Sequence, residues 1–381
     1  MIKKIAISVS ALMLLISSVS CASKDKQNYN NSAEVFNNYY YVRMDDNIIY
    51  SENSIPYILD CESMDTAILC NIPNCSHKSS DCIISNLAVE DQLPIIYNNN
   101  VYYFVNSKEF TENNEKVELE LSCKLKKYSF ADRVFSDVAK INNFNANVSS
   151  GCYLIGSEYY FTTNTGNPIY DDAGSVGGTN TGGGGNLFSI NLDSGKVTDY
   201  GTIFDYESLK SEHPAARNSL SMYLMGKIDN KLYIGVNYVK QELTPEMMEN
   251  GETPIWSGET YTFDLDSHKI ELLDSYFSMC SMNDYHSYYS DEQNKTLTLQ
   301  NVKTGEIFNG PDILSWNAMT IFDDKVWHDD ARCFDIKTGE ETKVSSYDYG
   351  QVIAEYKDSY IFEGTDDKGK TVFEKLPKSD F

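Results

Sequence analysis

Cys333-Phe334-Asp335-Ile336-Lys337-Thr338-Gly339-Glu340 is the stretch that decides the fold. An apolar run ends on an acid, a Thr-Gly pair follows, and the chain then turns back on itself. Asp hydrogen-bonds the backbone ahead of it, and Gly supplies the left-handed conformation that closes a tight turn between strands. The phrase recurs as Ile190-Asn191-Leu192-Asp193-Ser194-Gly195-Lys196 and as Leu299-Gln300-Asn301-Val302-Lys303-Thr304-Gly305-Glu306. A copy without the glycine reads Phe263-Asp264-Leu265-Asp266-Ser267-His268-Lys269.

Around each copy the chain breaks into short β-branched and aromatic runs separated by Asp, Asn and Gly. Tyr39–Arg43, Asn47–Tyr50, Pro56–Asp60 and Ala67–Leu69 form a first set of four strand candidates, and comparable sets follow. Aligning the third strand of each set places them near residues 57, 127, 188, 262, 298, 333 and 373. Four strands per unit of about 40 residues, with no helical periodicity, is the pattern of an all-β β-propeller, in which each blade buries both faces against its neighbours. The alignment gives seven four-stranded blades; six and eight differ from it only in how the ends are assigned. Tyr39–Arg43 is a candidate for the strand that closes the ring by pairing into the last blade, and two packed β-domains are the main alternative. Two loop insertions lengthen the early units. Thr163–Gly185 contains Gly174-Ser175-Val176-Gly177-Gly178 and Gly182–Gly185 and reads as flexible, and Gln241–Trp256 carries a possible short helical turn at Glu246–Glu249.

The chain has 381 residues, Lys+Arg 31 and Asp+Glu 56, a formal net charge of -25. Such a field repels phosphate backbones and anionic headgroups, which argues against nucleic acid and against a polybasic membrane patch. Hydrophobic residues at 41% and aromatics at 13% are too many for a disordered chain.

At the N-terminus, Lys3 and Lys4 precede an apolar stretch, Ile5–Ser20, too short and serine-rich for a comfortable membrane span, and Cys21 follows. Ser18-Val19-Ser20-Cys21 resembles the bacterial lipobox, departing from it at Ser18, where the pattern prefers an aliphatic residue. The expectation is a lipoprotein signal peptide over 1–20, lipidation at Cys21, a flexible polar tether over 21–35 and a propeller over 36–381, on the extracytoplasmic face of the cell membrane. The competing reading is an ordinary small-x-small cleavage site that releases the protein.

One segment stands outside the repeat: Cys70-Asn71-Ile72-Pro73-Asn74-Cys75-Ser76-His77-Lys78-Ser79-Ser80-Asp81-Cys82, with Cys61 nine residues before it. A strand-rich exported chain with Cys-x-x-Pro-x-Cys-x-His-x4-Cys just after its first blade resembles propeller-type surface lipoproteins of Gram-positive bacteria. The resemblance implies a fold and an address, and no activity. Chemically, three thiols and an imidazole within 13 residues offer the ligands zinc prefers. Outside the membrane thiols also oxidise, and a disulfide-stapled loop, with His77 a loop residue, is the reading an exported chain favours. Free thiols are the third possibility. Eight cysteines remain after Cys21, and Cys123, Cys152, Cys280 and Cys333 read equally well as buried strand residues.

Other matches carry less. Gly364–Thr371 satisfies the letters of a P-loop, but a strand follows it and Asp366-Asp367 would repel phosphate, so a hairpin turn is expected and no nucleotide. Asp264-x-Asp266 and Asp171-Asp172 lack the spacing of a calcium loop. Asp323-Asp324 reads as a hairpin turn. His328-Asp329-Asp330 beside Trp327 is the one His/acid group on a strand that could face a mouth. Nothing calls for a cofactor, and no nucleophile or metalloprotease motif occurs. The leading expectation is a non-catalytic propeller that binds or scaffolds a carbohydrate, peptide or protein at its mouth. The alternatives are a propeller-type surface glycan hydrolase or lyase and a metal- or redox-responsive module at Cys70–Cys82.

Overall fold

The computed structural model describes residues 34–37, 41–87, 93–113, 116–146, 151–170, 176–183, 185–204, 221–241, 244–249, 255–290, 297–310, 320–327, 332–343, 349–366 and 369–381. They form a seven-bladed β-propeller.

A short strand, β1 (Glu34–Asn37), comes before the first blade. Blade 1 is β2 (Tyr41–Met44), β3 (Asn47–Glu52), β4 (Ile55–Asp60) and β5 (Thr66–Ile68), counted from the axis outward. A helical turn, α1 (Ile83–Asn86), leads to blade 2: β6 (Ile95–Tyr97), β7 (Asn100–Asn113), β8 (Lys116–Ser129) and β9 (Phe135–Asn142). After β10 (Asn145–Ala146), blade 3 is built from β11 (Cys152–Ile155), β12 (Glu158–Tyr170), β14 (Gly185–Asn191) and β15 (Val197–Phe204), with β13 (Val176–Gly183) inserted. Blade 4 is β16 (Ser221–Ile228), β17 (Lys231–Gln241), β18 (Ile255–Asp264) and β19 (Ile270–Asp274), with α2 (Pro245–Glu249) between its second and third strands. Blade 5 holds β20 (Phe277–Met282), β21 (Tyr285–Tyr289), β22 (Leu297–Asn301) and β23 (Ile307–Asn309). Blade 6 holds β24 (Thr320–Phe322), β25 (Lys325–Trp327), β26 (Arg332–Asp335) and β27 (Glu341–Lys343). Blade 7 has three strands among the described residues: β28 (Tyr349–Tyr356), β29 (Ser359–Thr365) and β30 (Thr371–Pro377). All seven third strands fall where the sequence puts them.

Burial runs from axis to rim. Every residue of β21 is buried, whereas β19 and β23 face water along most of their length, because only the inner strands are covered on both faces by neighbouring blades. Apolar clusters pass from blade to blade. Trp327 of blade 6 is fully buried, its ring 4.8 Å from that of Tyr360 in blade 7 and 5.2 Å from that of Phe381. It is a core residue, not a mouth residue.

The turn phrase is the repeated lock. In all seven blades the residue that follows the third strand, or stands at its exit, donates its backbone N–H to a carbonyl in the turn between the first two strands. The pairs are Cys61 to Asp46 (2.9 Å), Phe130 to Asn99 (3.4 Å), Leu192 to Ser157 (2.8 Å), Leu265 to Asn230 (3.0 Å), Val302 to Asp284 (2.8 Å), Ile336 to Asp324 (2.8 Å) and Lys378 to Asp358 (2.9 Å). In six blades the phrase's first side chain accepts from the N–H groups ahead of it; Asp335 Oδ1, for instance, takes Lys337 N–H at 3.0 Å and Thr338 N–H at 2.8 Å. The glycine position is left-handed in each, and Met64, Arg133 and His268 occupy it at φ 60°, 58° and 57° where other blades have Gly195, Gly305 and Gly339. Asp60–Met64 and Ser129–Arg133 are thus two further copies that the sequence reading passes over.

Ring closure differs from the expectation for Tyr39–Arg43. Tyr41–Met44 is the inner strand of its own blade, and among the described residues nothing from the N-terminus pairs into blade 7. Side chains close the seam instead. Tyr41, Ile48, Tyr50, Leu59, Cys61, Ile353, Ala354, Tyr356 and Ile361 form one apolar cluster across blades 1 and 7, and the Tyr50 and Phe373 rings meet edge-on at 4.7 Å. β1 takes a different place. It pairs antiparallel with β2 and with β11, bridging the inner edges of blades 1 and 3, with Val35 buried there.

The Gly-rich insertion also corrects the reading as a flexible loop: Val176–Gly183 pairs with Thr165–Tyr170 as a hairpin. Pairing needs only backbone groups, so glycines support it once a partner strand runs alongside. The helical turn expected in the second insertion is α2.

Candidate metal centre

The chain leaves blade 1 at its outermost strand and reverses at once, with Cys70 N–H donating to the Ile68 carbonyl at 2.7 Å. Two left-handed residues, Asn74 (φ 54°) and His77 (φ 57°), then fold the loop back over itself. The α1 residues fix its return. Asn86 Nδ2 donates to the carbonyls of Ser80 (3.0 Å) and Cys82 (2.8 Å), and Ser85 Oγ donates to those of Cys82 (2.9 Å) and Ser79. Asn71 ties the loop to blade 2: its Nδ2 donates to the Phe130 carbonyl at 2.6 Å and its Oδ1 accepts from Tyr128 Oη at 3.0 Å. Leu69 and Ile83 are buried in the apolar core that blades 1, 2 and 3 share. The loop therefore belongs to the joint between the first two blades.

This folding brings Cys70, Cys75, His77 and Cys82 together, with one ligand atom from each lying within 4.8 Å of all the others. Cys82 is buried, and the other three are part-exposed. Cys82 Sγ lies 3.7 Å from Cys70 Sγ and 3.6 Å from His77 Nδ1. The His77 backbone N–H donates to Cys75 Sγ at 3.3 Å, and this bond holds the Cys75 thiol below its ordinary pKa. Burial pushes the Cys70 thiol up, to about 12. The Cys70–Cys82 separation is far beyond the ~2.05 Å of a disulfide bond, and none of the described cysteines is crosslinked.

Cys61 is not part of the cluster. It fills the apolar position after the turn acid Asp60, buried in the seam between blades 1 and 7, where burial pushes its thiol up to about 12. Cys123, Cys152 and Cys333 are buried strand residues, as their context implies.

The remaining candidates resolve into turns. Asp264 Oδ1 accepts from the N–H of Asp266 (3.2 Å) and of Ser267 (2.8 Å), which is turn capping. Gly364–Thr371 spans the β29–β30 hairpin, with Thr365 opposite Thr371. Asp323-Asp324 is the β24–β25 turn. His328-Asp329-Asp330, Asp171-Asp172, the signal segment, Cys21 and most of the tether lie outside the described residues.

One polar pair escapes the sequence reading. His286, wholly buried in blade 5, meets Asp274 of blade 4 through Nε2 and Oδ2 at 3.0 Å. Twelve residues separate them, and only the docking of adjacent blades brings them together.

No protein-family model matches the chain, and comparison with curated proteins finds no relative. Solved structures are similar at low identity. An acylaminoacyl peptidase from Pyrococcus horikoshii is 10% identical over 91% of this chain and 50% of its own, with a TM-score of 0.40. The extracellular domain of a B. thetaiotaomicron one component system is 10% identical over 92% and 43%, TM-score 0.40. Dipeptidyl peptidase 4 of Porphyromonas gingivalis is 9% identical over 88% and 57%, TM-score 0.35. The chain spans little more than half the length of these proteins at most, and likeness at this level carries nothing about activity or ligand.

Proposed function

We propose that this chain is an exported lipoprotein, anchored through Cys21, whose propeller is a non-catalytic body that binds or scaffolds a carbohydrate, peptide or protein outside the membrane. The observation that supports this reading is the position of β1. It crosses the inner edges of blades 1 and 3 and marks the face on which the chain arrives. Glu34 pairs with Ile155, beside the β11–β12 turn, so arrival is on the face of the inner hairpin turns. The span from Cys21 to Glu34 is 34 − 21 = 13 residues, which reaches about 45 Å when extended. In this reading the turn face looks toward the bilayer. The long β7–β8 and β12–β13 hairpins and the α2 insertion extend from the opposite ends of their strands and look outward, where a ligand would be met.

The test is made on cells. Wild-type chain is expected to incorporate an alkyne-tagged fatty acid and to fractionate with the membrane, whereas Cys21→Ser is unlabelled and not retained through lipid. Binding arrays of glycans and peptides are then probed with the purified protein, with truncation of the β12–β13 hairpin expected to reduce capture. Equal labelling of Cys21→Ser, or turnover of a polysaccharide by the purified chain, overturns the proposal.

A further inference from the structure

We infer that Cys70, Cys75, His77 and Cys82 form a closed tetrahedral zinc site that pins the blade 1–blade 2 connection to the ring. Zinc–thiolate bonds of about 2.3 Å and zinc–imidazole bonds of about 2.0–2.1 Å fix the edges of such a tetrahedron: about 3.8 Å between two sulfurs and about 3.6 Å between sulfur and nitrogen. The structure has 3.7 Å between Cys70 Sγ and Cys82 Sγ and 3.6 Å between Cys82 Sγ and His77 Nδ1. Two edges are therefore already at the coordinated length, and the whole donor set falls within 4.8 Å.

The donor chemistry selects the ion. Thiolates with one imidazole suit a soft or borderline cation such as Zn²⁺ and are poor partners for calcium or magnesium, which take oxygen. Four protein donors complete a tetrahedron and leave no position for water or substrate, which marks a structural site and not a catalytic one. Loading one Zn²⁺ onto three thiols and a neutral imidazole releases three protons and leaves a centre of net charge −1, since 2 − 3 = −1.

The loop supports the ion as a second shell does elsewhere. The His77 N–H on Cys75 Sγ (3.3 Å) stabilises a thiolate, and Ser85, Asn86 and Asn71 hold the backbone on either side of the donors. A connection of 26 residues between β5 and β6 (Leu69 to Pro94), with a four-residue helix as its one regular element among the described residues, gains most from such a clamp. Zinc would also occupy the thiols that an oxidising exterior would otherwise consume.

The experiment uses the full chain, purified in reducing buffer and exposed to zinc alone. Native mass spectrometry and elemental analysis are expected to give one zinc per chain, and cobalt in its place to give thiolate-to-metal charge transfer with the intense ligand-field bands of a tetrahedral site. Cys75→Ser and His77→Ala are each expected to weaken zinc binding by more than the ~10–100-fold typical of second-shell changes, while Cys333→Ala keeps one equivalent. Wild-type chain that is folded and reduced yet takes up no zinc overturns the inference whatever the variants do. So does an octahedral cobalt spectrum, or a Cys70–Cys82 disulfide, two hydrogens lighter, in chain prepared with zinc present.

Discussion

The backbone N–H of Ile336 donates to the carbonyl of Asp324 at 2.8 Å, joining the outer turn of blade 6 to its inner turn, and the same bond is made in every blade. A turn that is elsewhere a local affair here connects three strands. Asp335 anchors it through two backbone N–H groups, which hold its carboxyl below the usual aspartate range.

Asp335→Ala is therefore expected to cost about 1–2 kcal/mol at neutral pH, from two charge-assisted hydrogen bonds. The sign of the pH dependence follows from the lowered pKa: the contribution is present above the unfolded value of about 3.9 and is lost as pH falls through the folded value. Denaturant melts of wild type and variant at pH 7 and near pH 3 check this. The difference should shrink at the acid end; a difference that grows there would contradict the assignment.

The left-handed position of the turn makes a paired prediction. Arg133, exposed at φ 58°, bears a strain that glycine does not, so Arg133→Gly is expected to stabilise by up to about 1 kcal/mol. Gly339, at φ 74° with open space around it, should give the converse: Gly339→Ala destabilises by about 1 kcal/mol through backbone strain alone. Thermal unfolding of the two variants decides it.

Ring closure is expected to depend more on the buried apolar seam than on its exposed ion pair. Ile361 is fully buried in the seam between blades 7 and 1, and Ile361→Ala should cost about 2–5 kcal/mol. The Glu62–Lys357 bridge across the same seam is 2.6 Å long, but both side chains are well exposed and screened by water, and Glu62→Ala should cost far less than Ile361→Ala. Comparable losses in equilibrium unfolding would show that the seam is held some other way.

Metal removal should sort the cysteines. With a chelator present, Cys75, part-exposed and with its thiol held below the ordinary value, is expected to react first with a thiol reagent, whereas buried Cys61, Cys123 and Cys152 stay unmodified until the ring unfolds. Zinc should suppress the first reaction and leave the second unchanged. Peptide mapping of the labelled protein reads both.

Much of this is legible in the chain because propeller signals are local. β-branched and aromatic runs bounded by turn residues place all seven third strands, and Cys70–Cys82 stands out because it breaks the repeat. What escapes is conformational or distant. The letter Gly marks the phrase in sequence, whereas the turn asks only for a left-handed residue, so the copies ending at Met64 and Arg133 carry no such mark. Glycine composition says nothing about whether a partner strand lies alongside, so the β12–β13 hairpin reads as loose chain in the sequence. The two-residue offset of His77 from Cys75 looks too short to bring its imidazole among the thiols, and it is left-handed Asn74 and His77 that turn the ring back to 3.6 Å from Cys82 Sγ. The pairing of β1 with two inner edges more than a hundred residues apart has no local signature at all.

The measurement that tests the central claim most directly is X-ray absorption at the zinc edge on the zinc-loaded full chain. Three sulfurs at about 2.3 Å and one nitrogen at about 2.0–2.1 Å are the expected first shell. A shell of oxygen and nitrogen alone, or of four sulfurs without imidazole, would contradict a site built from Cys70, Cys75, His77 and Cys82.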